Sequence, residues 1–221
     1  MIPVTPKDLR ALEETFAKLE NDVTIIYFTE EVSCRHCRQE RELLDELVDL
    51  SHKLHLDVYN FTADRDVADD YGIDKVPGFL LDGVCECGVR YYGMPSDFEF
   101  KMLLEDLLRI SSGESGLSPE SKERLGKLDT PLHLEVLTTP LCPFTEKAVR
   151  LAHQVAIESD LICADLVNVE DFPKLTEHYD ILAAPTVVVN ETYQFYGALD
   201  ENPFLTKILD EAPESVPENA T

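Results

Sequence analysis

Apolar residues recur along the first half of the chain at spacings typical of alternating helices and strands. Leu9, Leu12, Phe16 and Leu19 follow a helical period, and the β-branched and aromatic run after them predicts a strand. The predicted elements are a helix at 5–20, a strand at 23–28, a helix with Leu43, Leu44, Leu47 and Leu54 on one face, a strand at 56–61, a short helix at 66–71, a hairpin at 79–81 and 89–92, and a helix at 98–109.

The same order of elements starts again after a serine- and glycine-rich stretch at 111–116, which predicts a linker. Cys142 lies 108 positions after Cys34, and Pro185 lies 108 positions after Pro77, without a gap. This match indicates an internal duplication. The predicted elements of the second half are a helix at 117–129, strands at 132–137, 161–167 and 186–189, a helix that opens at Cys142, and a closing helix at 203–209.

We therefore predict an α/β fold made of two tandem units, each with a mixed central β-sheet flanked by helices. The first unit spans residues 1–112 and the second 117–210, and the acidic tail at 211–221 is predicted to be disordered. An insertion of four residues in the first unit, within the stretch at 82–88, contains Cys85 and Cys87. These thiols are either exposed turn residues without a role or a pair that forms a regulatory or intermolecular disulfide.

Charge and hydropathy narrow the classes of function. The chain has 221 residues, 19 basic and 44 acidic side chains, and a formal net charge of −25, so it would repel a polyphosphate backbone. We expect no nucleic-acid partner. The sequence has neither a long apolar run nor a basic leader, which predicts a cytoplasmic protein without a membrane partner. Thiols in that compartment are ordinarily reduced, so the six cysteines are expected to be reactive, metal-binding or buried.

Cys34-Arg35-His36-Cys37 stands between a predicted strand and a predicted helix, which places the first sulfur at a helix N-terminus. Free N–H groups and the helix dipole stabilise a thiolate there, and the second sulfur can attack a mixed disulfide. Arg35 and His36 add positive charge that would stabilise the thiolate further, unless both are solvated loop residues. Half of a zinc site is the competing interpretation, but no second ligand pair is present, so we expect no metal.

The dipeptides Val76-Pro77 and Ala184-Pro185 both stand just before a predicted strand, and each proline follows a cysteine by 43 positions. A cis peptide bond there would bring backbone N–H and C=O groups beside the cysteine, where they can hold an extended peptide. An ordinary trans proline at a strand entrance is the alternative. The repeated spacing favours the functional interpretation, so we predict that these four residues bind substrate.

Several of these motifs together resemble the protein disulfide oxidoreductases of thermophilic archaea and bacteria. The likeness rests on the tandem units, on Cys34-Arg35-His36-Cys37 and Cys142-Pro143-Phe144-Thr145, and on the stretches at 88–95 and 148–153. Members of that family are glutaredoxin-like and consist of two thioredoxin-fold units. The resemblance implies dithiol–disulfide exchange on protein substrates and cis prolines at Pro77 and Pro185. We expect no cofactor besides the redox-active disulfide.

The second unit departs from the pattern of that family. The family has a second Cys-x-x-Cys here, but Thr145 occupies the resolving position, so Cys142 cannot release a product within its own motif. Three interpretations stay open: a monothiol site that uses an external thiol such as glutathione, a relict in a peptide-binding unit, or a glutathione-ligated iron–sulfur cluster. The cluster is the least favoured, because Gly-Phe-Ser typically follows the cysteine in cluster-binding glutaredoxins.

The preferred hypothesis is an enzyme in which Cys34 attacks a substrate disulfide and Cys37 resolves the mixed disulfide. A thioredoxin-reductase-like flavoprotein or a low-molecular-weight thiol would restore the dithiol. One alternative is a chaperone-like module that binds extended peptides without using its thiols. Another is an electron carrier between a flavin reductase and a peroxidase, because similar double units precede some flavin disulfide reductases. Any such reductase is a separate chain, since no dinucleotide fingerprint follows a strand here.

Three further features have structural interpretations. The charged runs at 40–42 and 64–66 are predicted to be solvated faces. Tyr91 and Tyr92 are predicted to be core or sheet-face residues. Cys163 is predicted to be a small buried hydrophobe at the start of a strand.

Overall fold

The structure is a computed structural model that describes residues 6–31, 34–84 and 88–212, with the backbone alone for Pro6 to Asp8. The predictions for Cys85 and Cys87, and for the tail from residue 213 onward, lie outside the described residues. None of the described helices is long and apolar enough to cross a membrane.

Helices and strands follow the predicted order in the first half, and the second half repeats that order, including a short helix that the sequence did not predict. The first half contains α1 (Pro6–Phe16), β1 (Val23–Thr29), α2 (Cys37–Val48), β2 (Leu54–Asn60), α3 (Arg65–Asp70), β3 (Gly78–Asp82), β4 (Gly88–Tyr92) and α4 (Phe98–Ser112). The second half contains α5 (Pro119–Leu125), β5 (Leu132–Thr138), α6 (Thr145–Glu158), β6 (Ile162–Asn168), α7 (Pro173–His178), β7 (Thr186–Val189), β8 (Tyr193–Tyr196) and α8 (Glu201–Thr206), which a π-helical turn (Lys207–Glu211) continues. The predicted α/β class with a repeated unit is confirmed.

The eight described strands form one mixed sheet in the order β2-β1-β3-β4-β6-β5-β7-β8. Within each half, two strands pair in parallel and a hairpin is added antiparallel to the first of them. The parallel pair β4–β6 joins the halves, with a register that runs from Gly88 opposite Cys163 to Tyr92 opposite Val167. The two predicted sheets are therefore halves of one sheet, and β1 and β5 run in the same direction within it.

Helices cover both faces of the sheet, because strand side chains alternate between the two faces and both are apolar. The larger core lies under α1, α2, α4, α5, α6 and α8, and it includes the rings of Phe79 and Tyr91, stacked 4.8 Å apart. The smaller core lies under α3 and α7 and includes Tyr92. Both tyrosines are core residues, as predicted. Since α4 packs against α6, the larger core continues from one half into the other.

The predicted extension of the second helix to Leu54 is wrong. Leu54 opens β2, opposite Val23, and does not extend α2, which ends at Val48. The reason is that sheet pairing with β1 already starts at Lys53, whose carbonyl accepts a hydrogen bond from the Val23 N–H at 2.8 Å. The helical spacing of Leu54 with the leucines of α2 is therefore coincidental.

The predicted linker at 111–116 is an ordered connection. Ser111 is buried within the last turn of α4, and Gly113 ends that helix in the left-handed conformation with φ of 74°. The Ser111 hydroxyl oxygen accepts hydrogen bonds from the Glu20 and Asn21 N–H groups, both at 2.8 Å. Serine and glycine end α4 here and supply hydrogen bonds, so only Ser111 and Ser112 of the predicted linker belong to a helix.

Candidate functional site

The Cys34–Cys37 disulfide lies where β1 ends and α2 begins. Its sulfurs are 2.01 Å apart, and its two Cα atoms are 5.5 Å apart. The Cys37 N–H also donates to the Cys34 Sγ at 3.1 Å. Cys37 is 3% exposed whereas Cys34 is half-buried, so Cys34 is the sulfur that a second molecule can reach.

The N-terminus of α2 gives this disulfide a favourable electrostatic setting. The helix runs for 12 residues from Cys37, and its unpaired N–H groups and dipole act on the residues just before it. A Cys34 thiolate formed on reduction is stabilised at such a position. Of the two residues between the cysteines, Arg35 is exposed and His36 is half-buried.

His36 contacts the second half of the chain. Its Nδ1 lies 2.5 Å from Oδ1 of Asp171, in the loop that follows β6. The other carboxylate oxygen of Asp171 accepts a hydrogen bond from the Met94 N–H at 3.0 Å. The His36 side chain is 28% exposed and that of Asp171 only 6%. The β4–β6 pair explains the contact, because the carboxyl ends of parallel strands lie side by side.

Glu40 lies one turn after Cys37 on α2 and is fully buried. Neither of its carboxyl oxygens has a hydrogen-bond partner among the described residues. Burial, and after it the nearby charge of Asp171, raises the pKa of Glu40 well above its ordinary value. The predicted solvated face at 40–42 is therefore wrong for Glu40, because the helical period places it on the same buried face as Cys37 and Leu44.

The second cysteine site has one sulfur. The Cys142 thiol donates to the Ala184 carbonyl at 3.3 Å. Thr145 stands at the position that corresponds to Cys37 in the first site, and it is fully buried. Its Oγ1 lies 3.5 Å from the carbonyl oxygen of Thr139, so the hydroxyl faces the backbone.

Exposed apolar side chains flank Cys142. Leu141 is 76% exposed, Phe144 61% and Leu182 80%. Phe144 and Leu182 lie 108 positions after His36 and Asp74, which are polar. The two halves therefore present different surfaces to a partner, polar beside Cys34 and apolar beside Cys142.

Both Val76-Pro77 and Ala184-Pro185 contain cis peptide bonds, as the resemblance implied. The two sites are equivalent in their backbone contacts as well. The Pro77 carbonyl accepts a hydrogen bond from the Gly93 N–H at 3.0 Å, and the Pro185 carbonyl accepts one from the Gly197 N–H at 2.9 Å. The bond between Cys142 and Ala184 places this backbone directly beside the second cysteine.

Glu99 is a second buried acid, in the first turn of α4, and it binds residues of the second half. The Thr138 hydroxyl donates to its Oε1 at 2.7 Å, and the Asn168 amide donates to its Oε2 at 3.3 Å. Burial raises the pKa of Glu99 to about 7, although the bond from Thr138 lowers it. An acid in the first turn of a helix is usually a surface residue, so no pattern in the sequence indicated its burial.

Cys163 is half-buried and lines a surface depression of about 400 Å³ together with Tyr71 and Arg90. Cys163 lies at the start of a strand, as predicted, but it is only partly buried. Gly88, opposite Cys163 in the sheet, has no side chain to cover it: a Cβ there would lie 2.8 Å from the Cys163 sulfur.

Comparison with known proteins decides the family. The profile of the thioredoxin domain matches residues 132–210. Thioredoxin of Methanocaldococcus jannaschii is 36% identical over 66 residues, which cover 29% of this chain and 78% of that protein. The chain belongs to the thioredoxin family. The profile matches the half with the single Cys142, so that half keeps the pattern of the family without the second cysteine.

Two further comparisons extend the likeness of this thioredoxin-family chain beyond one unit. The crystal structure of a protein disulfide oxidoreductase from Aeropyrum pernix matches with a TM-score of 0.86 and 29% identity, over 94% of this chain and 93% of that one. An alkyl hydroperoxide reductase component of Staphylococcus aureus is 23% identical over 184 residues, 81% of this chain and 33% of that protein. The chain thus spans about a third of the latter relative.

Sequence reasoning located both cysteine motifs of this thioredoxin-family chain but not the acids near them. Glu40 carried a usable signal, since it follows Cys37 by three residues on a predicted helix. Asp171 carried none, because it reaches His36 from 135 residues away through a strand pairing that no local pattern records.

Proposed function

We propose that this chain is an enzyme that exchanges disulfides in protein substrates through Cys34 and Cys37. The observation that carries the proposal is their disulfide at the N-terminus of α2, with Cys34 accessible and Cys37 buried. Disulfide exchange needs this asymmetry, because the accessible sulfur attacks the substrate disulfide and the buried sulfur then attacks the mixed disulfide to release the substrate. The likeness to the Aeropyrum pernix protein disulfide oxidoreductase over nearly the whole chain supports the same activity.

In the reducing direction, the Cys34 thiolate attacks one sulfur of a substrate disulfide. A Cys34–substrate bond forms as the substrate S–S bond breaks, and the departing substrate thiolate takes a proton from water. Cys37 then loses its proton and attacks the Cys34 sulfur, which closes the Cys34–Cys37 disulfide and releases the second substrate thiolate. Two electrons pass from the dithiol to the substrate, and the reverse sequence oxidises a substrate dithiol.

The backbone of Val76-Pro77 is proposed to hold the substrate strand beside Cys34, and that of Ala184-Pro185 to do the same beside Cys142. The short contact between Cys142 and the Ala184 carbonyl supports this role, since a peptide that pairs with this backbone would pass the sulfur. Arg35 and His36 are proposed to act on the stability of the Cys34 thiolate.

The second half is proposed to position substrates. The exposed Leu141, Phe144 and Leu182 favour this role, because an unfolded or extended substrate offers apolar side chains to such a surface. Cys142 is proposed to serve as an auxiliary monothiol that needs an external thiol such as glutathione to release its product. A peptide-binding module in which the thiols are incidental is the second candidate that this surface favours.

A separate electron source completes the proposed cycle. A flavoprotein disulfide reductase or a low-molecular-weight thiol in the cytoplasm would reduce the Cys34–Cys37 disulfide after each turnover. The likeness to part of an alkyl hydroperoxide reductase supports a reductase as partner. Such a chain can also pass electrons from that reductase to a peroxidase.

Insulin reduction by dithiothreitol tests the proposal. We expect the wild-type chain to accelerate precipitation of the insulin B chain, and Cys34→Ser to return the rate to that of dithiothreitol alone. Cys142→Ser should keep most of the acceleration, and Cys163→Ser is the matched control for loss of a free thiol. Full acceleration by Cys34→Ser would rule out the dithiol as the catalyst and leave the peptide-binding module.

A further inference from the structure

Asp171 is a residue of the second half that is built into the redox centre of the first half. The β4–β6 pair brings the loop after β6 beside the loop after β4. From there the Asp171 carboxylate lies 2.5 Å from Nδ1 of His36, inside the Cys-x-x-Cys motif, and accepts the Met94 N–H at 3.0 Å. Its side chain is only 6% exposed, so solvent screens its charge weakly.

Gly93 makes room for this carboxylate. The residue has φ of 92°, and a Cβ there would lie 2.8 Å from Oδ2 of Asp171 and 2.9 Å from the Asn168 Cβ. The same glycine donates its N–H to the Pro77 carbonyl. The carboxylate therefore lies against Gly93, whose N–H binds the carbonyl of the proline in the first site.

The charge of Asp171 also acts on Glu40, near the disulfide. After burial, it is the largest cause of the raised pKa of Glu40, one turn beyond Cys37. Asp171 thus acts on His36 within the motif and on Glu40 one turn after it.

We infer that Asp171 is a positioning residue that fixes the His36 ring and biases the Cys34–Cys37 couple toward the disulfide. The inference rests on the proposed function. It gives the second half a part in the chemistry of the first that does not depend on Cys142.

The direction of the bias follows from the charges of the two redox states. The disulfide carries no charge, whereas reduction leaves a thiolate on Cys34 at the helix N-terminus. A fixed carboxylate nearby opposes that thiolate and leaves the disulfide unaffected, so it favours the oxidised form. Because the carboxylate also binds the His36 ring, it offsets any positive charge of the ring at the sulfur.

Equilibration of the full-length chain with glutathione tests this inference. Two glutathione thiols give up two electrons and two protons and become glutathione disulfide. The Cys34–Cys37 bond breaks and takes up the electrons; Cys37 takes one proton, and the other goes to solvent if Cys34 stays a thiolate. The disulfide fraction is measured after acid quench and alkylation, by mass spectrometry of the peptide that contains both cysteines.

We expect Asp171→Asn to shift the equilibrium constant about tenfold toward the dithiol, which corresponds to a change of about one pKa unit in the Cys34 thiol when a nearby negative charge is removed. Asp171→Ser should shift the equilibrium constant in the same direction. Because serine also removes the charge but introduces no amide, agreement between the two variants assigns the shift to the lost charge. Glu170→Gln is the matched control, because it removes an exposed charge one residue away.

Equal constants for wild type and both Asp171 variants would overturn the inference, and so would an equal shift in Glu170→Gln. In either case, reversible reduction of the wild-type Cys34–Cys37 disulfide by glutathione would still be consistent with the proposed function. A wild-type disulfide that glutathione cannot reduce would instead count against the proposed function itself.

Discussion

Three carboxyl groups in this acidic chain owe their properties to position. Glu40 and Glu99 are buried and have raised pKa values, and Asp171 bridges His36 and Met94. The position of Glu40 three residues after Cys37 is a local signal, but nothing local singles out Glu99 or Asp171 among 44 acidic residues. Burial raises the pKa values of Glu40 and Glu99, because it penalises the charged form, and it depends on residues far away in the sequence.

The pKa of Glu99 predicts how stability changes with pH. It rises from 4.5 to about 7 on folding, so between those values the folded chain holds a proton that the unfolded chain has lost. The stabilisation from Glu99 is complete below its unfolded pKa and is lost as pH rises through its folded pKa. When the pH is raised from 5.5 to 8, the free energy of unfolding of wild type should fall by about 2 kcal/mol more than that of Glu99→Gln. Urea unfolding at both pH values measures the difference.

Glu120→Gln is the control for that experiment, because Glu120 is an exposed acid in the first turn of α5. Its pH dependence should follow that of wild type. Parallel curves for Glu99→Gln and wild type would contradict the assignment of a raised pKa to Glu99.

At the scale of elements, apolar periodicity predicted most helices and strands but not how the halves join. Periodicity is a local property, so it located β1, β7 and α4 close to their observed bounds. It also placed the first cysteine motif correctly, between a strand and a helix. It missed α7, a short polar helix that depends on its neighbours. The β4–β6 pair has no local signature, because either strand would suit any parallel neighbour. The contact of Asp171 with His36 depends on that pair.

Two equivalent glycines allow the packing between the two halves to be tested. Gly93 and Gly197 have φ of 92° and 85°, and each N–H donates to a proline carbonyl. A Cβ at Gly93 meets Asp171 and Asn168 within 3 Å, whereas a Cβ at Gly197 meets nothing within 4 Å. We expect Gly197→Ala to cost about 1–2 kcal/mol from the backbone alone. Gly93→Ala should cost about 1–3 kcal/mol more, because overpacking adds to it.

The free energies of unfolding of the two glycine variants, measured in urea against wild type, give the comparison. The backbone penalty is common to both, so their difference reports the packing between the halves. Similar losses of stability would show that the loop after β6 yields easily to a side chain at residue 93.

At the scale of the whole molecule, scarce basic residues bridge two acidic halves. Four lysine or arginine ion pairs among the described residues cross from one half to the other: Lys75–Glu135, Arg90–Asp165, Lys101–Glu146 and Arg150–Glu105. A formal net charge of −25 remains, and it repels itself across the folded molecule. Short pairs between the halves and long-range repulsion therefore act against each other.

Salt separates these two effects. Raising KCl from 0.1 M to 1 M shortens the Debye length from about 10 Å to about 3 Å, which removes the long-range repulsion but screens short, partly buried pairs less. We expect the urea midpoint of unfolding to rise with KCl. A midpoint that falls would mean that the ion pairs between the halves outweigh the repulsion.

The β4–β6 pair also bears on the history of the chain. After a duplication, a copy that loses its chemistry is ordinarily free to erode or to be deleted. Here a deletion of the second half would uncover the backbone of β4 and one side of the larger core, and the first half would have to acquire a new edge before it could survive alone. Natural selection can therefore retain the second half for its place in the sheet, whatever residue stands at position 145.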